Sequence, residues 1–385
     1  MKNCQPSQSM VLNGDSFAGC QQSQKGNCGC RILFVWTGLT GYMGDNWRSL
    51  GSLPGVELKI WIEIPCGQKD IAFKATRELK GLDAEAFRDD EPLDEKELVK
   101  AVEAFRPNVI FLTGWHMRLS RFVALHRSFS KISKVLNLDM PFTWSFRKML
   151  APIVLHSYLH HFCGTYVPGD DSARYARWLG FPRNRIYEGI YATDLKRFAP
   201  YVRQKLKKGI PHSFLYVGRY AKEKGLDILI GAYQRYRKTV DEPWPLDCAG
   251  MGPEEHLLEG VEGVQNLGFQ SPGELAAIYG SHGVLVLASR FEPWGVVLAE
   301  AAGAAMPILC TDVCGARHEV VHKNGIVCKA GNVASLASAM IRIHRESDAA
   351  LLVRANHSLR LAMPYACEAW ASRTLKIVQD ILQIK

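Results

Sequence analysis

Glu292 and Glu300 stand eight residues apart, with Gly295 between them and the alanine-rich run Leu298-Ala299-Glu300-Ala301-Ala302 behind. Carboxylates only accept hydrogen bonds and hold hydroxyls strongly, so two of them on one turn-and-helix unit suit a polyhydroxylated ligand. Gly295 lets a backbone approach that ligand closely. The amides of Gly295, Val296 and Val297 open a helix whose positive end suits phosphate. Upstream, Arg219 and Lys224 flank a turn and supply two cations. A cation about 4 Å from a developing negative charge is worth roughly 4 kcal/mol at an effective dielectric near 20. Two such cations can stand in for a divalent metal. Taken singly, each residue has a plainer explanation: Glu292 as a helix-start carboxylate favoured by the dipole, and Lys224, like Lys222, as the cap of a solvated turn. The combination of Glu292, Gly295 and Glu300 is not explained that way.

The elements that must position these residues are short apolar runs alternating with helical segments. Residues 31–36, 56–64 and 108–113 read as strands buried on both faces. The acidic amphipathic segment 94–105 reads as a helix ending before Pro107. Residues 135–138 and 164–167 continue the alternation. A second unit starts near Ser213, with strands at 213–217, 245–248, 264–267, 284–288, 308–311 and 325–327. Its helices fall at 226–238, 272–279 and 297–305. Strand, glycine loop and helix, twice over, predict an α/β chain of two doubly wound, Rossmann-like domains. The domains are expected at 31–197 and 205–365. Residues 1–30 are expected to form a disordered leader and the basic stretch 198–211 the linker, and helical spacing over 366–385 predicts a C-terminal helix. Ligands of open α/β sheets bind at the carboxyl ends of the strands, so a cleft between the two halves is the expected site.

The run Ser289-Arg290-Phe291-Glu292-Pro293-Trp294-Gly295-Val296-Val297-Leu298-Ala299-Glu300 closely resembles the E-x7-E signature of the family-4 (group 1) glycosyltransferases, which have the two-domain GT-B fold. Other matches follow in the family's order. They are Val217-Gly218-Arg219 with Glu223-Lys224-Gly225, then Gly250-Met251-Gly252-Pro253-Glu254, then Asn266-Leu267-Gly268-Phe269. The resemblance is strong over 213–330 and weaker over 31–200. It implies transfer of a hexose from a nucleotide-diphosphate sugar to an acceptor hydroxyl with retention of anomeric configuration. It also implies that the C-terminal helix over 366–385 completes the first domain. Glu292 would then reach the transferred sugar and Glu300 would hold the ribose diol. Arg219 and Lys224 would neutralise the diphosphate without a metal, and the segment at Leu267 would receive the base. His116, which follows the strand 108–113, matches the family's histidine beside the anomeric centre. Gly38 and Gly41 match the loop beside the diphosphate and acceptor.

The chain also departs from the family pattern. It has one histidine where a longer histidine-rich run is common. It reads Gly38-Leu39-Thr40-Gly41 in place of a Gly-Gly pair, and Glu188-Gly189-Ile190-Tyr191-Ala192-Thr193-Asp194 in place of Asn-Gly-Val-Asp. Asp45 is a candidate acceptor contact or a helix cap. His156, His160 and His161 read as an amphipathic helix rather than a metal site, and the Cys20, Cys28 and Cys30 spacing fits no zinc pattern. No cofactor beyond the nucleotide-sugar co-substrate is expected.

With 385 residues, 47% apolar and 22% charged, the chain is neither disordered, fibrous nor a coiled coil. Eleven scattered cysteines and no apolar leader point to a reduced, cytoplasmic protein. The net charge is +9, and residues 106–148 hold eight basic side chains against Asp139 alone. Residues 83–103 hold nine acids against three bases. The basic stretch suits an anionic membrane surface, with a peripheral position on its inner face and a lipid-linked or surface glycan as acceptor. The same stretch is equally a solvated helix face. It lacks a nucleic-acid motif. Two other readings share the architecture: a sugar-nucleotide epimerase, and a non-catalytic binding protein.

Overall fold

The computed structural model describes residues 29–38, 41–65 and 79–383. The expected leader lies outside the described residues except for its last two positions. Leu39 and Thr40 of the glycine loop also lie outside them.

Two all-parallel sheets carry the fold. The first is built from β1 (Cys30–Thr37), β2 (Val56–Ile64), β3 (Ala84–Arg88), β4 (Val109–Thr113), β5 (Ser133–Asn137), β6 (Gly164–Val167) and β7 (Ile186–Glu188). Its order is β3-β2-β1-β4-β5-β6-β7. The second is built from β8 (Phe214–Val217), β9 (Leu246–Ala249), β10 (Val264–Gly268), β11 (Val284–Leu287), β12 (Ile308–Thr311) and β13 (Gly325–Cys328), in the order β10-β9-β8-β11-β12-β13. Their central strands are apolar on both faces because helices cover both sides. In β1, Ile32 to Trp36 are all buried, and the Phe34 ring stacks on Phe111 of β4 at 4.9 Å.

The expected strands and helices are present, with ends displaced by a residue or two. Two strands, β3 and β7, were not foreseen. Each lies at an edge of the first sheet and is only partly buried, so neither shows an apolar run. β3 sits inside the acidic stretch, where Glu85 pairs with Lys59 of β2 at 2.8 Å.

The expected linker is not a loop. Ala199–Lys208 is a helix, and its Lys205 is buried, donating from Nζ to the carbonyls of Tyr279 at 2.7 Å and Ala304 at 2.9 Å. Its ammonium is satisfied by second-unit carbonyls, so the helix is packed into that unit. Burial lowers its pKa to about 7. The C-terminal helix Cys367–Gln383 crosses back to the first sheet. There Trp370 is fully buried, lies 6.2 Å from Phe34 and donates to the Ile190 carbonyl at 2.7 Å. No helix among the described residues is long and apolar enough to cross a membrane.

Candidate active site

Each sheet has one point where the strand order reverses: between β1 and β4 in the first, and between β8 and β11 in the second. Loops leaving such neighbours diverge and open a crevice. The loops at the second crevice carry Lys224, Glu292 and Glu300.

The loops after β8 and β11 are stitched together. The amides of Arg290 and Phe291 donate to the Glu223 carbonyl at 2.8 and 3.1 Å. Gly225 has φ +68°, and a Cβ there would lie 2.2 Å from the Ala288 carbonyl oxygen, so the close approach needs glycine. Arg290 holds Asp227 with two bonds of 2.5 Å. As a result Lys224 Nζ lies 2.5 Å from Glu292 Oε2, with only 15% and 11% of the two side chains exposed. The Glu292 backbone is fixed from behind, where its carbonyl accepts from Gly315 N at 3.0 Å.

Gly295, at φ +91°, ends this loop and starts the helix Val296–Gly303. No side chain caps that helix and its first turn carries no acid, so the Glu292 carboxylate beside Gly295 is the charge that faces its positive end. Glu300 lies on this helix, and Tyr279 Oη donates to its Oε2 at 3.0 Å. Burial pushes the Glu300 carboxyl above its usual range, against the Tyr279 bond and the charge of Arg197. Glu292, Gly295, Val296, Val297, Glu300 and Lys224 therefore lie on one short structural unit.

Arg219 does not join them. Its side chain is 72% exposed and pairs with Glu223 at 2.9 Å. Leu267 lies in β10, at the edge of the sheet, and its carbonyl accepts from Gln270 Nε2 at 2.5 Å. Phe269 beside it is exposed.

On the other half, His116 sits exposed in the turn between β4 and the helix Arg118–Leu125, at the first switch point. Gly38 follows β1 with φ +70° and open space around it. Gly41 is the first residue of the helix Gly41–Gly51 rather than part of the preceding loop. Asp45 is engaged by Arg197 at 2.5 Å and Arg48 at 2.8 Å, which ties this helix to the crossing segment.

The carboxyl ends of the two sheets face each other. Asp170, just after β6, donates its amide to Glu319 Oε1 at 2.9 Å, and Asp171 pairs with Arg317 at 2.9 Å. A Cβ on Gly169 would lie 2.7 Å from the Trp294 ring and 2.3 Å from Glu319. These contacts join loops that leave β6 in one half and β11 and β12 in the other, closing one rim of the cleft.

Two residues escaped sequence reasoning. Tyr279 holds one oxygen of Glu300, yet in sequence it looks like a core aromatic. Glu63, 1% exposed at the end of β2, accepts from the amides of Arg118 and Leu119 at 3.0 and 2.9 Å. It pins the helix that follows the His116 turn. Its only signal was an acid inside the apolar run Ile60-Trp61-Ile62-Glu63-Ile64.

Residues 200–356 match the family model described as "Glycosyl transferases group 1". A glycogen synthase of Mycobacterium tuberculosis (strain CDC 1551 / Oshkosh) is 31% identical over 149 residues, which cover 37% of this chain and 36% of that protein. The chain thus spans about a third of the length of this curated relative. Among solved structures, a glycosyltransferase from Rickettsia africae superposes with a TM-score of 0.69 at 12% identity, over 92% of this chain and 99% of the other. Anabaena HepE, solved in complex with UDP and glucose, superposes with a TM-score of 0.64 at 14% identity, over 92% and 99%. At these identities the likeness is one of fold: two Rossmann-like domains arranged as in GT-B glycosyltransferases.

Proposed function

We propose, for a chain whose residues 200–356 match the group 1 glycosyltransferase family model and whose fold resembles GT-B, that it transfers a hexose from a nucleotide-diphosphate sugar to an acceptor hydroxyl. The observation that carries this reading is the Lys224–Glu292 pair at the second switch point. It stands against an uncapped helix start and has Glu300 eight residues on. The diphosphate would lie at Lys224 and at the amides of Gly295, Val296 and Val297. Glu292 would exchange its cation for a hydroxyl of the transferred sugar, and the Glu300 carboxylate would hold the ribose diol. Gly38 and Gly41 would border the donor from the first domain, and Leu267 would receive the base. Arg219 would have to leave Glu223 to reach the phosphates.

The reaction is read as retaining and independent of metal. The bond between the anomeric carbon and the phosphate oxygen breaks, and the acceptor oxygen bonds to that carbon on the same face. The acceptor proton passes to the departing phosphate oxygen. Lys224 and the helix end carry the charge left on the diphosphate, and His116 would stand by the anomeric centre. The rim contacts of Gly169, Asp171, Arg317 and Glu319 support closure of the halves over the donor, which excludes water. The basic stretch 106–148 supports attachment to an anionic membrane surface on the cytoplasmic side, where a lipid-linked acceptor would be met.

Slow hydrolysis of the donor tests this reading without knowledge of the acceptor. UDP-, GDP-, ADP- and dTDP-hexoses are incubated with the protein in a chelator, and the freed sugar is followed by NMR. The proposal requires one nucleotide to be turned over, with the α- or β-configuration of the donor retained in the sugar as first released. Inversion, or a strict need for a divalent ion, would refute the mechanism.

A further inference from the structure

The helix Phe146–Val154 presents its apolar stripe to solvent. Residues 146, 149, 150 and 153 follow the i, i+3, i+4, i+7 spacing that normally faces a core. Here Phe146 is 76% exposed, Ile153 76% and Val154 72%, with Met149 and Leu150 also exposed and Trp144 just before them at 78%. The opposite face is firmly seated. Ala151 is buried, and Lys148 runs inward to the Pro141 carbonyl at 2.7 Å and lies over the Tyr175 ring at 5.3 Å. Trp178 Nε1 donates to the Lys148 carbonyl at 3.1 Å, and Ser145 caps the helix start. The outward stripe is therefore not a misplaced core face, since the helix already has an inward one.

Charge selects the partner. Residues 140–163 contain no acid, Arg147 flanks the stripe, and the stretch that leads into it carries the basic excess noted above. Lys134 does not contribute to a surface, because it is buried with its Nζ on the Phe129 carbonyl. Nine residues at about 1.5 Å each reach about 14 Å, far short of the ~30 Å hydrocarbon core. An exposed aromatic and aliphatic stripe with Arg147 beside it and no acid in its own segment suits the headgroup–acyl boundary of an anionic bilayer.

We infer that Trp144, Phe146, Met149, Leu150, Ile153 and Val154 insert into the surface of an anionic bilayer and seat the first domain on it. This deepens the membrane attachment proposed above and rests on it, replacing a purely electrostatic contact with a hydrophobic anchor. The helix leaves β5 at the same sheet edge as His116 and Asp170, and Phe142 N bonds the Asp171 carbonyl at the cleft rim. Insertion would therefore bring the acceptor side of the cleft to the lipid surface.

Flotation with phosphatidylcholine vesicles, with and without 30 mole per cent phosphatidylglycerol, tests this on the full chain. The variants are W144S/F146S/I153S/V154S and R121Q/R127Q/R147Q, with circular dichroism confirming the fold and a nucleotide thermal shift reporting the donor site separately. The inference requires binding to anionic vesicles and quenching of Trp144 fluorescence by brominated acyl chains, measured against W144F. It also requires binding to fall about tenfold or more in the serine variant. Binding that survives the serine changes but is lost in the glutamine variant or in salt would leave the electrostatic contact standing and overturn insertion. Absence of binding to either vesicle would overturn both, without touching the donor site. A dimer that dissolves in the serine variant, with no vesicle binding, would assign the stripe to a second copy and also overturn it.

Discussion

Lys224 and Glu292 neutralise each other at 2.5 Å, so a ligand entering this crevice must compete for both. A diphosphate can do so because it offers the lysine more charge than one carboxylate while its sugar hydroxyls satisfy the glutamate. In the proposed reading Lys224 is a donor to the leaving diphosphate. Lys224→Ala should therefore lower turnover by about 10²–10³-fold, measured as nucleoside diphosphate release at saturating donor. A smaller loss in turnover than in affinity would make Lys224 a binding residue only. Glu300 behaves differently because burial raises its carboxyl pKa. If Glu300 holds the ribose diol as proposed, its ionised form is the one that accepts from both hydroxyls, so nucleotide affinity should decline as pH falls through a range above that of an ordinary glutamate. Glu300→Gln should flatten that decline, and calorimetric titration of the nucleotide across pH measures it. Tyr279→Phe should weaken nucleotide binding while leaving the fold intact. The two glutamates were legible in sequence because their spacing of eight around a glycine resembles a family signature, and the structure places both on the loop and helix after β11. Tyr279 and Glu63 were not, since their partners lie far off in sequence and a lone buried tyrosine or glutamate carries no period.

The strand–loop–helix units place these side chains, and their glycines mark where the loops touch. Gly225 combines a positive φ with backbone contact to Ala288. Gly225→Ala should cost about 2 kcal/mol or more of stability and displace the Lys224–Glu292 pair, read as a lower denaturation midpoint together with lost nucleotide binding. Unchanged binding would show that the loop tolerates the shift. The apolar runs of β1, β4, β8 and β11 were readable because strands buried on both faces are continuous in hydrophobicity. β3 and β7 were not, because edge strands are half exposed and lack that signature. The segment 198–211 has no apolar run to mark it, yet Ala199–Lys208 is helical and Lys205 bonds the carbonyls of Tyr279 and Ala304.

At the scale of the whole molecule, Lys205 fixes the segment between the halves onto the second unit, and the cleft rim joins the two halves. The Lys205 pKa of about 7 lies below that of a free lysine, so the unfolded chain binds the proton more tightly. Its contribution to stability therefore rises with pH from about 7 to about 10.5, by up to about 5 kcal/mol. Lys205→Met should remove that rise, measured as the difference between the two proteins' unfolding midpoints across pH. At the rim, Asp171→Ala removes the partner of Arg317. It should loosen closure, raise the radius of gyration in small-angle scattering and slow donor hydrolysis about tenfold or more, with nucleotide affinity in the second domain kept.

The central claim is a nucleotide-diphosphate sugar site at the second switch point. Thermal shift with UDP-, GDP-, ADP- and dTDP-sugars, on the native chain and on Glu300→Ala, tests it most directly. The account predicts a rise of several degrees in midpoint with one nucleotide, absent in the variant. A rise that persists in Glu300→Ala, or no rise with any of the four, would contradict it.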